Sequence, residues 1–299
     1  MLFSAIMGKR IFLFLLTNLA IVITLSVVLS LLGVGSYIGP GGLDIRALAI
    51  FSFVWGMGGA FISLQMSRFI AKRATGMQLV DGRTGNPELD WLHTTVARLT
   101  QQANLPMPEV GVYDSGEVNA FATGPSKSRS LVAVSSGLLR SMRRDEVEGV
   151  LGHEVAHIAN GDMVTMTLLQ GVINAFVMFF ARIIAFALAN RGNSRDDRGG
   201  GVNWIVVVML ELVLGILGSL ITAWFSRQRE FRADRGGATL AGRERMLGAL
   251  RRLAANRELV DTQHQALATL KINGTRGWMM FFSTHPPLET RIAALERFQ

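Results

Sequence analysis

The stretch DEVEGVLGHEVAHIANGDMVTMTLLQGVINAFVMFFARIIAFALAN, residues 145–190, changes character part-way, and that change decides how the chain is built. Asp145 to Asn160 reads as one helix, with acidic residues in its first turn and a stop at Asn160-Gly161. From Met163 to Asn190 the chain is apolar for long enough to cross a hydrocarbon core. A polar helix carrying His153-Glu154-Val155-Ala156-His157 therefore runs straight into a membrane segment.

Three more apolar runs lie outward from it: Ile11 to Leu32, about Ala47 to Ile70, and Val202 to Phe225. Hydrophobic residues are 49% of the 299 and charged residues only 17%, too apolar a balance for an ordinary soluble domain. The first run follows Lys9 and Arg10 and so competes with a signal peptide. It is too long for one and lacks a small-x-small cleavage site, so an uncleaved anchor is the expectation. Arg68, Lys72, Arg73, Arg227, Arg229 and Arg232 flank the other runs, whereas Gly33 to Gly42 carries no Lys or Arg. The positive-inside rule then places both termini and residues 72–162 in the cytoplasm. The same placement accounts for the net charge of +8 and argues against nucleic-acid binding. Cysteine is absent, which removes disulfides and thiolate chemistry. Ser52, Gly56 and Ala60 form a small-residue stripe suited to close helix packing, within one chain before a dimer seam. The oligomeric state is left open.

The third and fourth runs each contain a charge, Arg182 and Glu211. Counted outward from the polar connection Arg191 to Gly201, both lie about 13–15 Å along their helices, so an antiparallel pair brings them to one depth. Two readings stand: a buried Arg182–Glu211 contact, or one charge reaching back to the interface.

These segments predict a mainly helical α+β protein with four transmembrane helices and a cytosolic catalytic domain. Residues 1–71 form a helix pair, 72–162 a cytosolic region ending in the His-bearing helix, 163–226 a membrane hairpin, and 227–299 a second cytosolic region. Asn86-Pro87-Glu88 starts a helix, followed by Leu89, Leu92, Val96 and Leu99 at helical spacing. Val110 to Tyr113, Asn119 to Thr123 and Ser130 to Ser135 read as strands. Arg243 to Arg257 and Leu288 to Phe298 read as helices.

Two His at i and i+4 face the same side of a helix, a spacing that lets both imidazoles bind one Zn²⁺. Glu154, next to the first, reaches a metal-bound water without being a ligand. HExxH arises by chance in about one chain of this length in a hundred, so the flanking segments must carry part of the case. A catalytic zinc takes a third protein ligand and keeps one open position. The candidates are His93, His264, His285 and nearby carboxylates. Glu230 leads, because the hairpin leaves the cytosol just after the HExxH helix and returns just before it. Asp234, one turn on, is placed to orient a ligand His through its second ring nitrogen; an ordinary salt bridge with nearby arginines is the alternative.

His153-Glu154-x-x-His157-x-x-Asn160-Gly161-Asp162, Glu230-x-x-x-Asp234, and His285-Pro286-Pro287 with Arg291 together resemble the HtpX-type membrane zinc proteases, bacterial relatives of the CAAX prenyl endopeptidases. The resemblance covers essentially the whole chain. It implies a zincin-like catalytic domain in the bacterial inner membrane, one Zn²⁺ per chain, and abnormal membrane proteins as substrates in quality control. It also makes His285 a candidate for stabilising the oxyanion, against an incidental His in a rigid turn. Arg291 either orients substrate or pairs with Asp234. Asn119-Ala120-Phe121-Ala122 resembles the edge strand on which such proteases hold substrate, against an ordinary strand with Phe121 in the core. A narrow-specificity peptidase trimming lipidated or signal-bearing tails is a second functional reading. A catalytically silent membrane scaffold is a third, disfavoured by the intact Glu154.

Overall fold

The computed structural model describes residues 27, 31, 38–39, 42–191, 204–263 and 285–298. The first apolar run apart from residues 27 and 31, most of the hairpin connection and His264 lie outside the described residues. The chain folds as two compact units, residues 1–63 with 166–222 and residues 64–165 with 223–299.

In the first unit a short antiparallel pair, β1 (Ile38–Gly39) and β2 (Gly42–Leu43), precedes the long helix α1 (Ile45–Thr75), whose N-terminal part lies here. The other helices contributing to this unit belong to α5 (Asp162–Arg191) and α6 (Trp204–Ala241). These three helices are long and apolar enough to span a bilayer, and many of their large apolar side chains are exposed, among them Phe53, Phe61, Phe176, Leu212 and Trp224. An apolar exterior of that extent suits lipid and not water. The small-residue stripe is used inside the chain. A Cβ on Gly56 would lie 2.5 Å from Ala175 N, and one on Gly171 would press on Met57 and Ala60, so only glycine permits this approach of α1 to α5.

Arg182 donates to Glu211 at 2.5 Å and to the Met178 carbonyl at 3.1 Å, with its guanidinium 5.3 Å from the Phe51 ring centre. The contact reading is the one the structure adopts. Glu211→Gln leaves Arg182 without its carboxylate and should destabilise the fold by about 1.5–3 kcal/mol. The double change with Arg182→Met should be milder than Glu211→Gln alone, in thermal unfolding followed in detergent.

The second unit is built on a four-stranded sheet in the order β3 (Gln78–Val80), β4 (Glu109–Tyr113), β6 (Arg129–Ser135), β5 (Ala120–Ser126). β4 and β6 are parallel and the other pairs antiparallel, which leaves β5 at an edge. α2 (Pro87–Gln102) begins where expected: Asn86 accepts from the Glu88 and Leu89 amides and Pro87 occupies the first turn. Its buried Leu92, Val96 and Leu99 join Val132 and Val134 of β6 and Leu151 and Val155 of the HExxH helix in one core. The short strand β3 and the short helix α3 (Ser136–Ser141) carry too few residues to show a period along the sequence.

The HExxH helix, α4 (Arg144–Asn160), is entered through a one-sided cap in which Glu146 accepts from the Arg143 amide at 2.8 Å. It ends at Gly161, in the left-handed region at φ 69°, whose N–H bonds the His157 and Ile158 carbonyls. Nearly every residue from Glu146 to Ile158 is buried, so this polar-looking helix is the centre of its unit. α7 (Arg243–Gln263) packs on it, and α8 (Leu288–Glu296) packs on α7 through Leu250 and Leu295.

One boundary differs from the sequence reading. The fourth apolar run and the Glu230 region are a single 38-residue helix, α6. Ser226-Arg227-Gln228-Arg229 contains no Gly or Pro, so the change from apolar to charged alters the surroundings of the helix without ending it.

Candidate metal centre

His153, Glu154 and His157 are all buried on α4. Each histidine is held at its outer nitrogen by a buried carboxylate: His153 Nδ1 by Asp234 at 2.9 Å, and His157 Nδ1 by Asp162 at 2.6 Å. Arg291 Nη2 also lies 3.4 Å from His153 Nδ1, but the shorter contact and the clash of two donors make the carboxylate the partner. With each Nδ1 donating, both Nε2 atoms turn inward and stand 3.0 Å apart with lone pairs opposed. Such a pair is relieved by a proton or by a metal ion held between its members.

Glu230, 1% exposed, completes the cluster. Its Oε2 is 3.5 Å from His153 Nε2 and its Oε1 3.4 Å from His157 Nε2. Bonds of about 2.0–2.1 Å in a tetrahedron place ligand atoms about 3.3 Å apart, so all three separations suit Zn²⁺. Oε2 also lies 2.9 Å from His285 Nδ1 and 3.3 Å from Arg291 Nη1, yet it accepts no aligned hydrogen bond among the described residues.

Local packing explains how the four elements meet. A Cβ on Gly152 would fall 2.8 Å from Ala241 Cβ, and one on Gly237 would fall 2.9 Å from His153 N. Glycine on both helices lets α6 lie against α4 closely enough for Glu230 and Asp234, one turn apart, to reach the histidines. The Gly161 turn returns the chain at once, so Asp162, first residue of α5, folds back onto His157. α8 contributes Arg291, whose Nε and Nη2 bind both oxygens of Asp234 at 2.8 and 2.5 Å. Between the two readings of Arg291, pairing with Asp234 is the one the structure displays.

Burial works against the charged form of His153, but hydrogen bonds to Asp234 and Glu230 outweigh it and raise the imidazole to about 9. His157 is raised in the same way, with burial opposing and Asp162 and Glu230 prevailing. The metal-free site is thus a proton trap. An unfolded histidine releases its proton near about 6.5. Protonation of His153 therefore stabilises the metal-free fold fully below that pH and stops doing so as pH rises through about 9. A metal ion held at both Nε2 atoms would have to displace these protons, so zinc affinity should climb steadily from pH 6.5 to 9 with protons released on binding. Calorimetry in two buffers of different ionisation enthalpy measures that release; a pH-independent affinity would contradict it.

Glu154 makes no hydrogen bond or ion pair among the described residues, leaving its carboxylate uncommitted. His285, 63% exposed at its side chain, stands beside Glu230 ahead of α8. His93 lies on α2 against Gly82 and does not join the cluster. Ala120, Phe121 and Ala122 occupy the edge strand β5, which packs on α4, and Phe121 lies 5.9 Å from the Tyr113 ring. Asn119 precedes the strand, its amide bound to Ser135 Oγ. Sequence reasoning missed the contacts of Asp162 and Arg232. Arg232 binds the second oxygen of Asp162 at 3.0 Å. The available signal was Gly161, a stop that returns the next residue to the last helical turn.

The family model for Peptidase family M48 matches residues 87–299, more than half of the chain and every residue of the cluster. The chain belongs to peptidase family M48. This M48 chain is 53% identical over 298 residues to the Protease HtpX homolog of Bacillus licheniformis, covering 97% of this chain and 99% of that one. It is 52% identical to Protease HtpX of Aeromonas hydrophila subsp. hydrophila, covering 96% and 99%. It is a membrane metalloprotease of the HtpX type, a hydrolase of peptide bonds. The crystal structure of Ste24p from S. mikatae shares the fold at a TM-score of 0.64 and 18% identity, over 99% of this chain. The chain spans 66% of that longer protein.

Proposed function

We propose that this M48 peptidase binds one zinc ion through His153, His157 and Glu230 and cleaves misfolded or damaged membrane proteins on the cytosolic side of the bacterial inner membrane. The observation that carries the metal assignment is the inward-facing trio of Nε2, Nε2 and carboxylate oxygens at tetrahedral separations. When bound, zinc supplies a Lewis acid for the scissile carbonyl and for the attacking water. Glu154 takes the water proton at its carboxylate and hands it to the leaving amine nitrogen. Asp234 and Asp162 hold the ligand rings in the tautomer that presents Nε2. His285 stands on the exposed side of Glu230, where its ring can donate to the developing oxyanion. The free edge of β5, at Ala120 to Ala122 with Asn119 before it, receives substrate as an added strand that reads backbone rather than side chains.

That mode of binding supports broad specificity over the trimming of one tail. Cleavage-site mapping separates the two. An unfolded membrane protein and a folded one carrying a defined C-terminal motif are incubated with detergent-purified enzyme. Many cuts confined to the unfolded chain support quality control; a single cut next to the motif replaces it with narrow processing. The cytosolic orientation rests on the basic flanks of the apolar runs and is tested by labelling single cysteines placed at Thr94 and Glu289 in intact cells. Reagents that cannot cross the inner membrane should leave both unmodified.

A further inference from the structure

The two ligand histidines are held by chains of the same composition and unequal burial. His153 is bound by Asp234, which is gripped through both oxygens by Arg291, and all three are buried. His157 is bound by Asp162, which is 1% exposed and is gripped through its other oxygen by Arg232. Arg232 holds it through one nitrogen and is itself 53% exposed at the side chain. From this asymmetry we propose that Arg232 is a positioning residue for the metal. It acts through Asp162 to fix the ring of His157, and its exposure makes the His157 side the salt-sensitive part of the centre.

The physical argument has three steps. Asp162 is buried and must spend both oxygens on donors; without Arg232 one is left unmatched, and the carboxylate is free to turn away from His157. A ligand imidazole whose outer nitrogen loses its acceptor loses both its fixed tautomer and part of its basicity, which weakens metal binding by about 10–100-fold. Finally, a guanidinium open to solvent is screened by salt, whereas the Arg291–Asp234 pair is shielded from it. Arg232 and Asp162 lie on the polar ends of α6 and α5, so the contact also ties together the two helices that carry apolar runs.

The inference rests on the zinc-ligand reading above and is tested on metal affinity, not on rate alone. Zinc dissociation constants are measured with a chromophoric competitor on the full-length protein in detergent, for wild type, Arg232→Ala, Arg232→Lys, Arg235→Ala and His157→Ala. Arg235 sits on the same helix and bonds its own Phe231 carbonyl, so it serves as the control. Arg232→Ala should bind zinc about ten-fold more weakly. Arg232→Lys should recover most of that loss, and Arg235→Ala should match wild type. Raising sodium nitrate from about 0.01 to 1 M shortens the screening length from about 30 to 3 Å. Wild type should then weaken toward Arg232→Ala, which itself changes little. Excess zinc should restore the peptidase rate of Arg232→Ala, a rescue that a structural defect would not show. An Arg232→Ala affinity equal to wild type overturns the proposal, as does an affinity loss that Arg232→Lys repeats in full. Zinc binding untouched by His157→Ala would instead overturn the underlying ligand assignment.

Discussion

Glu154→Gln should abolish proteolysis while the protein keeps its zinc. The carboxylate is buried beside the first ligand histidine, and no hydrogen bond or ion pair among the described residues occupies it. A group in that state accepts a proton from water and then releases it to the leaving amine; glutamine is nearly the same shape and can do neither. Removing a general base lowers the rate by about 10²–10⁴-fold. The change leaves His153, His157 and Glu230 in place, so metal content should stay at one equivalent. Casein cleavage with and without added zinc, alongside metal analysis of the same preparation, reads both quantities. Cleavage by the variant at the wild-type rate would remove Glu154 from the mechanism. Loss of cleavage together with loss of zinc would make it a structural support of the site.

Arg291→Ala should produce the largest loss of stability of any single change around the centre. Arg291 binds both oxygens of Asp234 and stands 3.3 Å from Glu230 Oε2, so its removal takes the two-pronged donor from one buried carboxylate and a neighbouring cation from the other. Breaking a buried pair from one side costs about 3–5 kcal/mol. The metal-free protein should suffer most, because bound zinc would offset part of the exposed negative charge. The gap in melting temperature between zinc-loaded and chelated protein should therefore widen in the variant. Arg291→Lys keeps the charge but not the two-pronged grip, and should fall between. Pairing Arg291→Ala with Asp234→Ala should be less damaging than the sum of the two single changes if the residues act as a unit. Equal melting temperatures for Arg291→Ala and wild type would show that the pair is not a support.

Most of the elements were legible because their signals are local. The start of α2 at Asn86-Pro87 and the end of the HExxH helix at Gly161 follow from one residue's backbone chemistry each. The apolar runs of α1, α5 and α6 follow from length and composition. Where a signal needed a partner distant in the chain, the reading stayed open. Arg291 had two equal roles until α8 was seen against α6. The stripe of Ser52, Gly56 and Ala60 could have served another molecule until Gly56 was seen against Ala175.

His153, His157 and Glu154 were determined by the sequence alone, since the pitch of one helix places i and i+4 on one face whatever surrounds it. Glu230 was reachable too, because a membrane hairpin forces the return of the chain. Asp234 was offered by its place one turn after Glu230, but only the tertiary structure decided which histidine it holds and what holds the other. Asp162 stood in the motif without a role of its own, Arg232 looked like a basic flank of a membrane run, and Arg291 had two roles between which the sequence could not choose. Their parts in the centre come from close approach of α4 and α6 through Gly152 and Gly237 and from the reversal at Gly161. These are three-dimensional encounters between residues as far apart as Asp162 and Arg232, and no periodicity along the chain encodes them.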